Sequence, residues 1–230
     1  MDATMKNILQ SIIPYLLDPF YKVYVFIRNL PLYFQHPLLR KIDACLFLYY
    51  FFRYPFYKFE RDCYQSGRPR EELTIGHTPY FSIQQIMSRV PVTKKSRFID
   101  LGSGQGELVF YMAIRYGVPS TGIDIIQTYI QVAKRIRQQL KIANAQFLEG
   151  DVLNRDLSKY DIVWVSLTCF NEQSRTKISR QCEKLGSGAY VISISYPIES
   201  DSFEAIDYFS ALFSWGQATV YIQKKQWFDP

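Results

Sequence analysis

The sequence is poor in the residues that build metal and disulfide sites. It has four cysteines (Cys45, Cys63, Cys169 and Cys182) and two histidines (His36 and His77) in 230 residues. No Cys-x-x-Cys pair occurs, which argues against a structural zinc site, and no metal is expected. Reduced thiols in a cytoplasmic setting are the default for such a chain. With 11 Gly and 11 Pro, neither a collagen-like nor a low-complexity composition applies. Long apolar runs are also missing. The longest, Ala44 to Phe52, lies between Asp43 and Arg53 and falls well short of the ~20 residues that a membrane span needs. The first residues carry a single lysine, a short apolar stretch interrupted by Pro14 and no small-residue cleavage site, so no signal peptide is expected.

Acidic residues are scarce in the front part. Residues 1–97 hold 14 basic and 7 acidic side chains, a net +7, whereas residues 98–230 hold 13 and 14, a net −1. An acidic partner for the front is one reading and a solvated basic surface the other. Aromatics are plentiful there, with 17 of the 35 Phe and Tyr residues in positions 1–64. Pro14, Pro19, Pro31, Pro37 and Pro55 divide this stretch, and helices are expected near 5–17, 20–30 and 38–54. Leu38, Leu39, Ile42, Leu46 and Tyr49 recur at three- and four-residue steps. Residues 1–64 therefore read either as a helical cap on a following domain or as a segment resting on an anionic membrane surface. Residues 65–96 read as a linker with an upstream loop and helix.

From Arg97 onward the pattern alternates. Strands are expected at Arg97–Leu101, Ser120–Asp124, Ala145–Leu148, Asp161–Ser166 and Ala189–Ser195, with helices at Glu107–Tyr116, Gln127–Leu140 and Gln173–Leu185. Such alternation indicates an α/β fold with a doubly wound, mostly parallel sheet across residues 97–230. Phe209–Ser214 and Ala218–Gln223, separated by Trp215-Gly216-Gln217, read as a terminal antiparallel hairpin.

The first strand runs into Asp100-Leu-Gly-Ser-Gly-Gln-Gly. Glycines allow a sharp turn and a close backbone approach to a ligand, and the helix start that follows offers free N–H groups. The dinucleotide fingerprint would put its third glycine at position 107, where Glu stands, and no Gly-Lys-Ser/Thr phosphate loop follows. Asp124 ends the second strand and Asp151 follows the third; carboxylates there accept hydrogen bonds from hydroxyl or amino donors.

This loop resembles motif I of the class I, seven-β-strand methyltransferases that use S-adenosyl-L-methionine and release S-adenosyl-L-homocysteine. The resemblance implies a Rossmann-like seven-stranded sheet. It assigns Asp100, Gly102, Ser103, Gly104 and Gly106 to the cofactor loop, Asp124 with Ile125 to the ribose, and Asp151 with Val152 to the adenine. Gly76-His77-Thr78-Pro79-Tyr80 is similar to the loop upstream of motif I in the non-SET lysine methyltransferases named for disrupting telomeric silencing, which adds Thr78 to the cofactor set. That similarity covers roughly residues 75–198. Bacterial methyltransferases of unassigned substrate, chlamydial ones among them, share the Gly-x-Thr-Pro and the Ser214-Trp-Gly-Gln-Ala-Thr-Val-Tyr stretch.

After the fourth strand the lysine enzymes carry Asn-Asn-Phe-Ala-Phe, whereas this chain has Ser166-Leu167-Thr168-Cys169-Phe170. Ser166 matches the first Asn and borders both cofactor and acceptor. The acceptor is expected beside Ser166, Thr168 and Phe170, roofed by Tyr80 and Tyr196. Cys169 reads as a loop thiol and His77 as a surface histidine. The resemblance implies methyl transfer to a protein amino group of lysine type. A lipid-like or small-molecule acceptor at a membrane surface and a catalytically silent S-adenosylmethionine-binding module remain alternatives. Nucleic acid ranks lower as partner, because no Asn/Asp-Pro-Pro-Tyr/Phe motif is present.

Overall fold

The computed structural model describes residues 3–53 and 56–226, with side chains over 19–52 and 57–226. Its centre is a seven-stranded sheet: β1 Phe98–Leu101, β2 Ser120–Asp124, β3 Ala145–Glu149, β4 Ile162–Ser166, β5 Tyr190–Ile194, β6 Phe203–Phe213 and β7 Gly216–Lys225. The order is β3-β2-β1-β4-β5-β7-β6. Strands β1 to β5 pair in parallel, and β7 runs antiparallel to both β5 and β6. This is the doubly wound sheet with a terminal hairpin that the alternation implied. The inner strands are buried on both faces: every residue of β1 and β2 is buried, as parallel strands covered by helices require.

The hairpin is longer than the sequence pattern indicated. β6 starts at Phe203 rather than Phe209, and a register shift lies between Ala205 and Asp207. The bulge breaks the strict alternation by which an exposed strand is recognised.

Helices α5 Glu107–Arg115, α6 Gln127–Gln139 and α7 Glu172–Cys182 follow β1, β2 and β4. In front of the sheet come α1 Ala3–Gln35, α2 Pro37–Arg53, α3 Phe56–Ser66 and α4 Tyr80–Met87. Here the structure departs from the expected division into short pieces, because α1 is one helix through Pro14, Pro19 and Pro31. Proline removes a single intrahelical hydrogen bond, and packing can outweigh it. Beyond Pro31, Leu32 and Tyr33 are buried, and Asn29 Oδ1 accepts the Phe81 N–H at 3.0 Å. At Pro37 the expected division holds: α1 ends at Gln35 and Pro37 opens α2, at a position where its missing N–H has no intrahelical partner to lose. The expected break at Pro55 lies outside the described residues.

Leu32, Leu39, Ile42 and Leu46 belong to the same buried cluster as Val109, Phe110 and Met112 of α5. The front helices thus help form the core on one face of the sheet, while α7 covers a second core on the other through Ile178 and Cys182. Truncating a fully buried residue such as Leu39 or Ile42 to Ala should cost about 2–5 kcal/mol. No described helix is long and apolar enough to cross a membrane.

Candidate functional site

In an open parallel sheet, ligands bind beyond the carboxyl ends of the strands where the winding reverses, here between β1 and β4. A cavity of about 300 Å³ lies at that place, lined by the ends of β1, β2 and β4, the glycine loop and the segment Arg68–Thr78.

Backbone contacts shape the glycine loop. The N–H groups of Gly102 and Ser103 both donate to the Ile123 carbonyl of β2, at 2.9 and 3.0 Å. Gly102, Gly104 and Gly106 have φ of 85°, 49° and 87°, a left-handed region that side chains disfavour. Gly106 also lets α5 approach β3, since a Cβ there would lie 2.4 Å from the Phe147 ring. Gly122, in β2, makes room for the loop in the same way: a Cβ there would stand 2.7 Å from Ser103 Oγ.

Asp124 Oδ2 accepts the Gly104 N–H and its Oδ1 accepts the Ile126 N–H, both at 2.8 Å. Burial raises its pKa to about 6 against these hydrogen bonds, which favour the charge. Asp100 is 6% exposed, and burial together with the Asp124 charge raises its pKa to about 8. Asp151 turns one oxygen back to the Leu153 N–H at 2.9 Å, capping a short helical turn.

Five carboxylates line the cavity (Glu72, Asp100, Glu107, Asp124 and Asp151), and Arg68 is the one cation among the lining residues. Arg68 is already paired with Glu72 at 2.5 Å. The site therefore favours a ligand with positive charge and hydroxyl or amino donors.

Of the residues expected to contact a cofactor, Thr78, Asp100, Gly102, Ser103, Gly104, Asp124, Ile125, Asp151, Val152 and Ser166 all line the cavity. Gly106 does not, because it faces Phe147. Ser166, Thr168, Cys169 and Phe170 line the cavity beside Trp164 at the end of β4. Thr168 Oγ1 is 2.8 Å from Ser195 Oγ and 3.3 Å from Ser166 Oγ, and Ser195 has a left-handed φ of 73°.

The expected roof needs correction. Tyr80 is 3% exposed and donates its hydroxyl to Asp43 Oδ1 at 2.8 Å, within the core beneath the front helices. It starts α4, and its ring stacks on Tyr111, so it points away from the cavity. Tyr196 lies on the surface under the Arg175 guanidinium, 4.1 Å from its ring centroid, and is not part of the lining. His77 is no isolated surface side chain: its Nδ1 meets Glu107 Oε2 at 2.7 Å, and that carboxylate raises its pKa.

Trp215 lines the cavity instead. It is stacked on Phe213 at 4.7 Å, and it lies against Gly76 so closely that a Cβ there would be 2.0 Å from Trp215 Cζ3. Paired hydrogen bonds between His77 and Ser214, both 2.9 Å, tie the upstream loop to the hairpin turn. Glu72 Oε1 accepts from the Asn171 N–H at 3.1 Å and Ser174 Oγ at 3.0 Å, fastening the linker to the start of α7. Glu72 carries no local pattern that marks it, and for Trp215 the one signal is the Ser214-Trp-Gly-Gln stretch shared with bacterial methyltransferases, since each acts on a partner distant in sequence.

A family model described as a methyltransferase domain matches residues 92–225. A Drosophila melanogaster protein, histone-lysine N-methyltransferase, H3 lysine-79 specific, is 28% identical over 132 residues, which is 51% of this chain and 7% of that protein. The chain thus spans a small fraction of that relative's length. Among solved structures, an RNA methyltransferase from Salinibacter ruber in complex with S-adenosyl-L-homocysteine superposes with a TM-score of 0.56 at 21% identity, over 66% of this chain and 95% of that one. TrmN from Thermus thermophilus gives 0.57 at 15% identity, over 64% and 49%. At such identities the likeness is one of fold.

Proposed function

Because the chain belongs to the methyltransferase-domain family, we propose that the cavity takes S-adenosyl-L-methionine and that the enzyme methylates an amine, specifically a lysine-type amino group of a protein. The observation that carries the donor assignment is the acidic cavity over a three-glycine loop. A sulfonium with an ammonium group suits Asp100, and ribose hydroxyls suit the carboxylate at the end of β2.

The donor, when bound, supplies an electrophilic methyl carbon. Transfer breaks the S–CH3 bond and forms an N–CH3 bond by in-line displacement, with S-adenosyl-L-homocysteine as product and the amine's proton released. The chain's residues align and shield rather than bond covalently. Ser166 and Thr168 offer hydroxyl oxygens that accept an N–H from the incoming amine, and Ser195 orders the Thr168 hydroxyl. Phe170 and Trp215 exclude water at that end of the cavity.

The amine reading rests on what stands at the acceptor end. Ser166, Thr168, Cys169, Phe170 and Trp215 all line the cavity, and Glu72, the carboxylate bonded beside Phe170 at Asn171, is already held by Arg68 and Ser174 and is a weak base toward an alcohol. A neutral amine is nucleophilic without such a base, and a dry, hydroxyl-lined pocket favours its neutral form. The Drosophila relative, named for its action on a lysine, agrees with this choice.

The test is transfer of tritiated methyl from S-adenosyl-L-methionine into cell extract fractionated into protein, nucleic acid and organic-soluble pools, with Asp100→Asn as background. Base-stable label in protein above that background is expected. Label confined to the organic or nucleic-acid pool would replace the amine reading, and none above background would overturn the proposed activity.

A further inference from the structure

The front helices have two apolar faces where a helix covering a domain needs one. Their inner face is accounted for by Leu32, Leu39, Ile42 and Leu46. On the other side of α1, Phe20, Val23, Tyr24, Ile27 and Phe34 are exposed, at helical spacing. In α2, Phe47, Leu48, Phe51 and Phe52 are exposed by 52–72%, with Phe47 and Phe51 stacked at 5.4 Å. Scattered exposed apolar residues need no explanation, but contiguous rows mark a surface that something covers.

The charges around these rows have one sign. Between residues 19 and 66 the acidic residues are Asp43, Glu60 and Asp62, and all three are engaged. Asp43 accepts from Tyr33 and Tyr80, Asp62 accepts from the Thr128 N–H and hydroxyl at 2.7 and 2.6 Å, and Glu60 forms a two-pronged pair with Arg70. The exposed charges left over are cationic: Arg40 and Lys41 at the start of α2 and Lys58 in α3.

From these rows and charges we propose that α1 and α2 lay their outer faces into the interface of an anionic lipid bilayer. Aromatic and branched aliphatic side chains enter the headgroup–acyl boundary, and Arg40, Lys41 and Lys58 meet lipid phosphates, extending their stems along the surface. The helices lie on the membrane and do not cross it. A second copy of the chain fits less well, because its face would bring more cations and no carboxylate that is not already engaged to meet Arg40, Lys41 and Lys58. Nucleic acid would use the cations but not Val23, Ile27 and Leu48.

Hydrogen bonds join the segment to the elements that carry the site. Asp62 holds the N-terminus of α6, and Tyr80 with Asp43 locks α4 to α2. Docking would therefore fix the orientation of the cavity relative to the bilayer.

The experiment is flotation of the full chain with phosphatidylcholine vesicles, with and without about one third phosphatidylserine. Roughly tenfold more protein should float with the anionic vesicles, and raised salt should reduce it. Phe51→Ser/Phe52→Ser should abolish flotation, and Arg40→Glu/Lys41→Glu should remove the preference for anionic lipid. Both variants should keep the parent melting temperature and affinity for S-adenosyl-L-homocysteine, so that loss of the surface is distinct from loss of the cofactor site. Protein left at the bottom with anionic vesicles would overturn the proposal, as would flotation that survives both variants. A dimer that Phe51→Ser/Phe52→Ser dissociates, without vesicle binding by the parent, would assign the face to a second copy instead.

Discussion

Asp124 at the end of β2 holds the backbone N–H of Gly104, in the loop after β1, at 2.8 Å. One carboxylate therefore does two jobs: it shapes the loop that approaches the donor, and it stands where the donor's ribose is proposed to bind. Asp124→Asn would place an amide N–H2 against either the Gly104 or the Ile126 N–H. We expect donor affinity to fall by more than tenfold, with a lowered melting temperature. Calorimetric titration with S-adenosyl-L-homocysteine reads the first and thermal unfolding the second; unchanged affinity would remove Asp124 from the cofactor site.

With its raised pKa, Asp100 should make donor binding pH-dependent. A cationic ligand prefers the ionised carboxylate, which in the free protein forms near a pH of about 8. Affinity should therefore rise from pH 6 to 8 and level off above, with proton release on binding in that range. Asp100→Asn should flatten the profile, and a profile unchanged by that substitution would refute the assignment.

Stability of the donor-free protein should move the opposite way. Asp124, Asp43 and Asp100 are raised to about 6, 7 and 8, chiefly by burial. The unfolded chain ionises its aspartates near pH 4, so the stabilisation is complete below that value and is lost as pH rises through the folded values. His77, raised by Glu107, contributes in the same direction. Thermal unfolding should give a higher midpoint at pH 5 than at pH 8.5, with the donor analogue narrowing the gap.

Asp62 caps α6 from another helix. The α6 N-cap position is Ile126, which has no side-chain acceptor, and Asp62 Oδ2 supplies one to the Thr128 N–H at 2.7 Å. Asp62→Ala should cost about 1–2 kcal/mol, measured by denaturant titration. A change within a few tenths would mean that the contact contributes little.

Gly76→Ala should displace the Trp215 ring, given the 2.0 Å approach of a Cβ. We expect catalytic turnover to fall more than donor affinity if, as proposed, the ring shields the acceptor end. Thr168→Ala should share that signature, with kcat reduced and donor affinity kept, and a loss confined to donor affinity would move both residues out of the acceptor site.

Much of the sheet and of the glycine loop was legible in the sequence because their signals are local. Asp100 to Gly106 is a strand-loop-helix whose glycines sit where the backbone turns left-handed, and Asp124 and Asp151 follow apolar runs of strand length. Contacts between distant segments were not legible. Tyr80 has the sequence context of a roof over the cavity, yet it starts α4 facing inward and bonds Asp43, 37 residues before it. Trp215 stands in an ordinary hairpin turn, and only the docking of that turn on Gly76 brings it to the cavity. Pro31 reads as a helix break, because local propensity does not contain the packing of Leu32 and Tyr33 that carries α1 past it.

The sequence by itself determined the alternation of strands and helices from β1 to β5, the glycine loop and the acidic strand ends, since periodicity, backbone freedom and turn chemistry act between near neighbours. The tertiary structure decided which side chains close the cavity, which carboxylates are pushed up in pKa, and which apolar face of α1 and α2 stays outside. Burial and charge proximity are properties of space, and they arise only when segments far apart in the chain are packed together.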